Sequence, residues 1–587
     1  MNSQETYSSE KLKKLVDVAS GRQPADLVIK NARVVDVFTP SIYEGDIAIV
    51  DGIIAGVGAY IGENEIDASG LYASPGLIDS HIHVESSYVS PSVLGDLLLP
   101  YGTTTIMADP HEIVNVCGIT GLNWMKKSAE NTPLDIRFEL PSCVPSTPFE
   151  NSGAILDSNI ISDYLAHNDI DGLGEFMNFV GVVNGDKECL AKIAAAKNAH
   201  VWIDGHAPEL SEKSLNAYAS CGILGDHECS TVEEMQHRIA RGMYVMLREG
   251  SACHNLTTLL QGLAPSNSRY CLFASDDRQV KTIRELGHID NHLRMCVDAG
   301  IDPLIALQIA TINAATAFDL KDRGAIAPGR RADICLFEDL INFHVVKTFI
   351  DGNLVAENGK ALTLSKKVSI DEVKGSFNVK DFSKDKLRIP LSTDKARIIK
   401  VLPGGVATGN EICSVARENG EFIYDGSVDV AKICVVERHN GTGNVGVGLI
   451  SGYGIKRGAV AVSIAHDSHN IICVGTNDDD IEFAVNSIIS QVGGIVCVHN
   501  GEVLESLSMP IAGIMSNENA DVVEQKLDAI HACAHEKLGI SSNIEPIMAL
   551  TFMALPVIPE LKITDMGLFD VNAFKFVRVD AVYNSLK

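Results

Sequence analysis

The sequence predicts an α/β protein built on a TIM (β/α)8 barrel, joined to a small composite β-sandwich domain and an α+β C-terminal domain. Three observations carry that reading. Short apolar runs recur eight times between residues 77 and 277, separated by polar, helix-favouring stretches. Most of these runs begin apolar and finish in His, Asp, Glu, Asn or Ser. On either side of them, and again in the last third of the chain, the texture changes to strand-turn-strand or mixed. An open, doubly wound sheet would explain the alternation equally well, but only a closed barrel gathers the ends of all eight strands at one face.

Composition sets the limits. At 587 residues the chain exceeds one ordinary domain, and its 46% hydrophobic and 21% charged fractions lie near the globular average, so disorder is not expected. No apolar run approaches the roughly 20 residues that span a bilayer. The opening MNSQETYSSEKLKKL lacks the apolar core of a signal peptide, which makes the cytoplasm the expected compartment. The 14 cysteines run from Cys117 to Cys533 without a CxxC pair, and are expected to be mostly buried thiols. A net charge of -28 disfavours nucleic acid and anionic membranes and leaves a small-molecule substrate as the expected partner. Homo-oligomerisation is also expected for so large a chain.

In chain order, residues 26 to 58 alternate apolar and polar residues between Gly and Asp turns, which marks short antiparallel strands and sets the first part of the sandwich at 1–75. Ser74-Pro75-Gly76 opens the barrel, 76–323. Its eight strands are placed at 77 to 83, 103 to 110, 136 to 143, 172 to 178, 201 to 207, 223 to 228, 243 to 251 and 271 to 277. Residues 324–378 return to strand-turn-strand texture and complete the sandwich. Residues 379–587 form the α+β domain, with strands AKICVVER and AVAVSIAH and helical runs near 480 to 493 and 520 to 538.

The chemistry begins at PGLIDSHIH. Alternate residues of a strand face one side, so His81 and His83 can both enter the barrel mouth and grip one metal ion. Further ligands of the right type end later strands in order: His206 in DGHAPE, His227 in GDHE and Asp276 in ASDD. Neutral imidazole and carboxylate suit Mn, Fe or Zn.

With these residues the chain resembles the amidohydrolase superfamily. Within it, HIHVESS, ADPHEI, GEFMNFVGVVNGD, DGHAPEL, GDHE, REGSA and AHDSHN together look like the adenine deaminase family, a likeness that covers nearly the whole chain. The resemblance implies hydrolytic deamination of adenine to hypoxanthine and ammonia in purine salvage, by a hydroxide that the metal supplies. Strand four has no lysine to carboxylate, and Glu175 stands there instead. The resemblance then implies two ions, one held by His81, His83, Glu175 and Asp276 and the other by Glu175, His206 and His227. Asp276, Glu175 and His227 are the expected catalytic set, with Asp276 shuttling the proton. Expected contacts to the base are Glu85, Ser86, Asp109, His111, Glu112, Arg248, Glu249 and Ser251.

Other readings stay open. Adenosine and cytosine deaminases use one metal and a Glu three residues after the strand-five His, a spacing that His206 and Glu209 reproduce. The adenine deaminase pattern commonly carries Gly at that position, so Glu209 is read as a local departure. A cyclic-amide hydrolase of the dihydroorotase or hydantoinase type, and a barrel that has become a scaffold, are the alternatives in function. His466, Asp467 and His469 of AHDSHN are read as a lid or interface, or as a second metal site or a turn. His531 and His535 are read as a solvated helix face. NGTGNVGVG lacks the GKS or GKT of a phosphate loop.

Overall fold

A computed structural model describes residues 8–375, 377–402 and 406–581. The first seven residues of the polar leader, and the last six of the expected C-terminal domain, lie outside the described residues.

A helix, Ser9–Ala19, precedes five strands: β1 (Ala25–Asp36), β2 (Ser41–Val50), β3 (Ile53–Gly58), β4 (Gly62–Asp67) and β5 (Tyr72–Pro75). The barrel follows with β6 (Leu77–Ile82), β7 (Thr103–Ala108), β8 (Asp135–Leu140), β9 (Gly172–Phe176), β10 (Trp202–Gly205), β11 (Gly225–Asp226), β12 (Tyr244–Arg248) and β13 (Cys271–Ala274). Strands β6 to β10 pair in order, as do β11 to β13, all parallel. Two seams close the ring. The amide of Leu224 donates to the Ile203 carbonyl between β10 and β11, and the amides of Asp276 and His83 donate to the carbonyls of His81 and Asp276 between β13 and β6. Every residue of β6, β7 and β9 is buried, as expected of parallel strands with side chains filling the barrel on one side and helices covering the other.

After the barrel come β14 (Ile334–Phe337), β15 (Val345–Ile350), β16 (Asn353–Glu357) and β17 (Lys360–Ala361). They join the first five strands in a nine-stranded sheet, because β14 pairs antiparallel with β5 from Ile334 against Pro75 to Phe337 against Tyr72. The strand that opens this sheet's second half therefore lies directly beside the residues that lead into β6.

The last region holds an eight-stranded, mostly antiparallel sheet. Its strands Val430–Val436 and Ala459–Ala465 are buried along their whole length, and helix Asp478–Ser490 packs apolar Ile481, Ala484, Val485 and Ile488 into the same core. The expected helical runs are present as Asp478–Ser490 and Ala520–Ala532. This region meets the barrel at its mouth: Asn470 Nδ2 donates to the Asn151 carbonyl at 2.8 Å, Asn440 Nδ2 to the Ser152 carbonyl at 3.0 Å, and Thr564 Oγ1 to the Phe149 carbonyl at 2.7 Å. Among the described residues no helix is long and apolar enough to cross a membrane. Ten cysteines are buried and four are partly exposed, all as free thiols.

Candidate active site

His81 and His83 leave the C-terminal end of β6 on one face, and both are buried. Each is held by its other ring nitrogen. His81 Nδ1 lies 2.8 Å from Asp204 Oδ2, and His83 Nδ1 lies 2.9 Å from the Asp109 carbonyl. Carboxylates and carbonyls accept, so each Nδ1 carries the proton and each Nε2 turns a lone pair inward. Those two Nε2 atoms stand 3.2 Å apart. Asp276 Oδ1 is 3.2 Å from His83 Nε2, and Glu175 Oε1 is 3.5 Å from it. Lone pairs and carboxylate oxygens gathered this closely repel one another unless a cation lies between them. Around an ion with bonds of about 2.1 Å, tetrahedral ligand atoms stand about 3.4 Å apart, so both donor set and spacing fit a divalent metal.

Glu175 turns its second oxygen the other way. Oε2 lies 2.7 Å from His206 Nδ1 and 3.2 Å from His227 Nε2. The His227 ring stacks on His81 with centroids 4.1 Å apart. Glu175 is fixed from behind, its amide donating to Asp109 Oδ2 at 2.9 Å and its carbonyl accepting from Ser142 Oγ at 2.6 Å. One carboxylate thus faces both groups of histidines.

Electrostatics follow the geometry. Burial opposes ionisation of Asp276, yet the Arg248 guanidinium, 2.8 Å from Oδ2, and the surrounding imidazoles hold its carboxyl well below the usual carboxylate range. Glu175 is likewise held low against burial by His206 and His227. Asp276 sits at φ 55°, in the left-handed region that Asp tolerates better than most residues. This turn aims its side chain back over the barrel mouth.

Comparison with known proteins adds a second line of evidence. Residues 72–355 match the amidohydrolase family, and residues 405–575 match the adenine deaminase C-terminal domain. Adenine deaminase 2 of Desulfotalea psychrophila is 58% identical over 98% of this chain and 100% of its own length. The adenine deaminases of Ligilactobacillus salivarius and Nitratidesulfovibrio vulgaris are 51% and 48% identical, each over 97% of this chain and 99% of their own. The chain belongs to the adenine deaminase family.

The expected base contacts fall into two groups in this adenine deaminase relative. Glu85, Ser86, Asp109, His111 and Glu112 are buried around the histidines. His111 Nδ1 is 3.4 Å from Glu175 Oε1, and its Nε2 is 3.8 Å from Asp467 Oδ1. Glu85 accepts the Ile113 amide on Oε1 and leaves Oε2 buried without a partner. Asp109 holds Glu175 and His83 in place. The second group is tied into the scaffold. Arg248 pairs with Glu228 and Asp276, Glu249 accepts from His254 Nδ1 at 2.6 Å, and Ser251 Oγ bonds Thr282 Oγ1 at 2.7 Å while accepting the Gln279 amide.

Glu209 is exposed, and its backbone φ of 59° lies in the region that favours glycine. Its amide donates to Glu234 Oε1 at 3.0 Å, and its exposure sets it apart from the buried residues around the histidines. The 465–470 segment reaches the site as an interface: His466, Asp467 and His469 are all buried, with Asp467 facing His111 and His469 Nε2 3.6 Å from Glu112 Oε2. The solvated reading of His531 and His535 is corrected. Both are half-buried, His531 Nε2 lies 2.8 Å from Glu545 Oε1 and His535 Nδ1 lies 3.2 Å from the Ile540 carbonyl, because their helix packs against the loop that follows it.

Sequence reasoning passed over Asp204 and Glu228. Asp204 lies two residues before His206 on β10, so the strand period that selected His206 also placed it inward. Glu228 follows His227 directly and comes within 3.6 Å of His227 Nε2 and 3.8 Å of His206 Nδ1. A strand end turns at that point, so no alternation rule applies to it.

Proposed function

We infer that this chain hydrolyses adenine to hypoxanthine and ammonia, using two divalent ions, Mn or Fe before Zn. The observation that carries the reading is the convergence of the inward lone pairs of His81 and His83 with Glu175 and Asp276, in a chain whose adenine deaminase relatives match it end to end. His81, His83, Glu175 and Asp276 would hold one ion, and Glu175, His206 and His227 the other. Ions bound there would supply Lewis-acid chemistry and a water whose pKa is lowered toward neutrality.

The chain's own groups do the rest. Asp276 takes a proton on its carboxylate and passes it to the amine leaving C6, and Arg248 keeps that carboxylate ionised and oriented between transfers. Asp204 and Asp109 fix the tautomers of His81 and His83. Glu85, with its unpartnered Oε2, and Ser86 meet the polar edge of the purine, where an unmatched substrate would leave them unpaired. Glu175, where the cyclic-amide hydrolases commonly use a carboxylated lysine, favours the deaminase.

The test is ammonia and hypoxanthine formation from adenine by Mn- or Fe-loaded enzyme, with adenosine, guanine, cytosine and dihydroorotate alongside. Turnover of adenine is the expected result. Silence on adenine with turnover of dihydroorotate would move the assignment to cyclic amides.

A further inference from the structure

Apart from the histidines of the barrel strands, three residues face one another across the seam between barrel and C-terminal region. Glu112 comes from the helix after β7 (His111–Cys117), and His466 and His469 from the turn between two strands of the C-terminal sheet. One donor atom from each lies within 4.8 Å of the other two, and all three side chains are buried. His469 is fully buried and neither of its ring nitrogens has a hydrogen-bond partner, although Nε2 is 3.6 Å from Glu112 Oε2. That distance is too long for a hydrogen bond and close to the ligand spacing of a tetrahedral ion. A buried imidazole with both nitrogens idle is costly, and the buried Glu112 carboxylate beside it accepts from the Ser86 hydroxyl at 3.1 Å on Oε1, the oxygen turned away from His469.

The surroundings add to this. Ser86 Oγ also donates to Asp277, so Glu112 and Asp277 share one hydroxyl, and Glu85 lies beside them. Burial and the neighbouring Glu85 push the Glu112 carboxyl well above its ordinary range, and a cation beside it would offset both and favour the carboxylate. The two rings are held in place: His466 stacks on Phe552 with centroids 4.5 Å apart, His469 stands edge-on to His466 at 5.4 Å, and the Arg438 guanidinium bonds the His469 carbonyl. Burial also holds both imidazoles below their ordinary pKa, in the neutral form that ligates metals.

We propose that Glu112, His466 and His469 bind a further divalent cation of the borderline class, Zn, Fe or Mn, which clamps the C-terminal region to the barrel. Two imidazoles and one carboxylate are a common ligand set for these ions.

The test counts metal by elemental analysis of the full-length enzyme after Mn or Zn loading and desalting. Wild type is expected to hold one equivalent per chain more than His469→Asn, and His466→Gln and Glu112→Gln carry the same count should His469→Asn not fold. His81→Asn is expected to keep that extra equivalent while losing metal from the barrel mouth, so the count does not depend on the reading of the adenine site. Equal metal in wild type and in all the folded seam variants would overturn the proposal. A raised KM for adenine with unchanged metal would overturn it too, in favour of direct contact with the base.

Discussion

Asp276 is where residue-scale chemistry concentrates. It faces His83 and Arg248, and its left-handed backbone is one that Asn also adopts easily. Asp276→Asn is therefore expected to fold with an unchanged circular dichroism spectrum and to lose deaminase turnover by about 10²–10⁴-fold or more. Activity within tenfold of wild type would remove Asp276 from the mechanism. Asp204 bonds the ring nitrogen of His81 that faces away from the proposed ion. Asp204→Asn should weaken metal binding by about 10–100-fold, as carboxylate partners of ligating histidines typically do, and excess Mn in the assay should restore much of the activity. A loss that excess metal does not relieve would point to a different role.

At the scale of elements, β9 shows how a strand is shaped by the site it carries. A Cβ built on Gly174 would lie 2.3 Å from Asp109 Oδ2, the atom that accepts the Glu175 amide. The glycine is required by this close approach of the side chain that directly follows β7. Gly174→Ala should push Asp109 aside, release both His83 and Glu175, and cut kcat/KM by at least about tenfold with a parallel fall in bound metal, since loss of a partner that orients metal-ligating side chains typically costs that much. Normal metal content and activity in Gly174→Ala would mean that β7 and β9 can move apart freely. The same region shows the limit of motif reading. HxH is legible because alternation puts both rings on one face, whereas Glu228 follows a two-residue strand and depends on where the turn after β11 leads.

On the scale of the whole molecule, the C-terminal region presses buried charge onto the barrel mouth. Glu150, in the loop after β8, is buried, and burial together with Asp467 raises its carboxyl to about 8, with Asp565 adding to the effect against the hydroxyls of Ser146 and Ser468. The unfolded chain releases this proton near the ordinary carboxylate value, so between about pH 4.5 and 8 the native state holds a proton that the unfolded state does not. Stability from this group is thus present at low pH and is lost as pH rises toward 8. Glu150→Gln should raise Tm relative to wild type at pH 9 and give little gain at pH 4.5, as read by thermal melts at both values. An equal difference at both would show that Glu150 is not protonated in the folded protein.

The sequence by itself determined the eight barrel strands, the pair of histidines on the first of them and the order of ligand-type residues at later strand ends. It could do so because a parallel barrel writes its period into the chain: two residues per pleat, apolar runs inside, polar residues where the strands stop. Helical runs in the last region were legible for the same local reason. Only the tertiary structure decided which acids serve which histidines, that Glu249 and Ser251 bond to the scaffold, and that residues 465–470 reach the barrel mouth from more than 300 residues away in sequence from His111. Those outcomes depend on loops, on the packing of one region against another and on side-chain partners far apart in the chain. None of these leaves a period for a sequence to show.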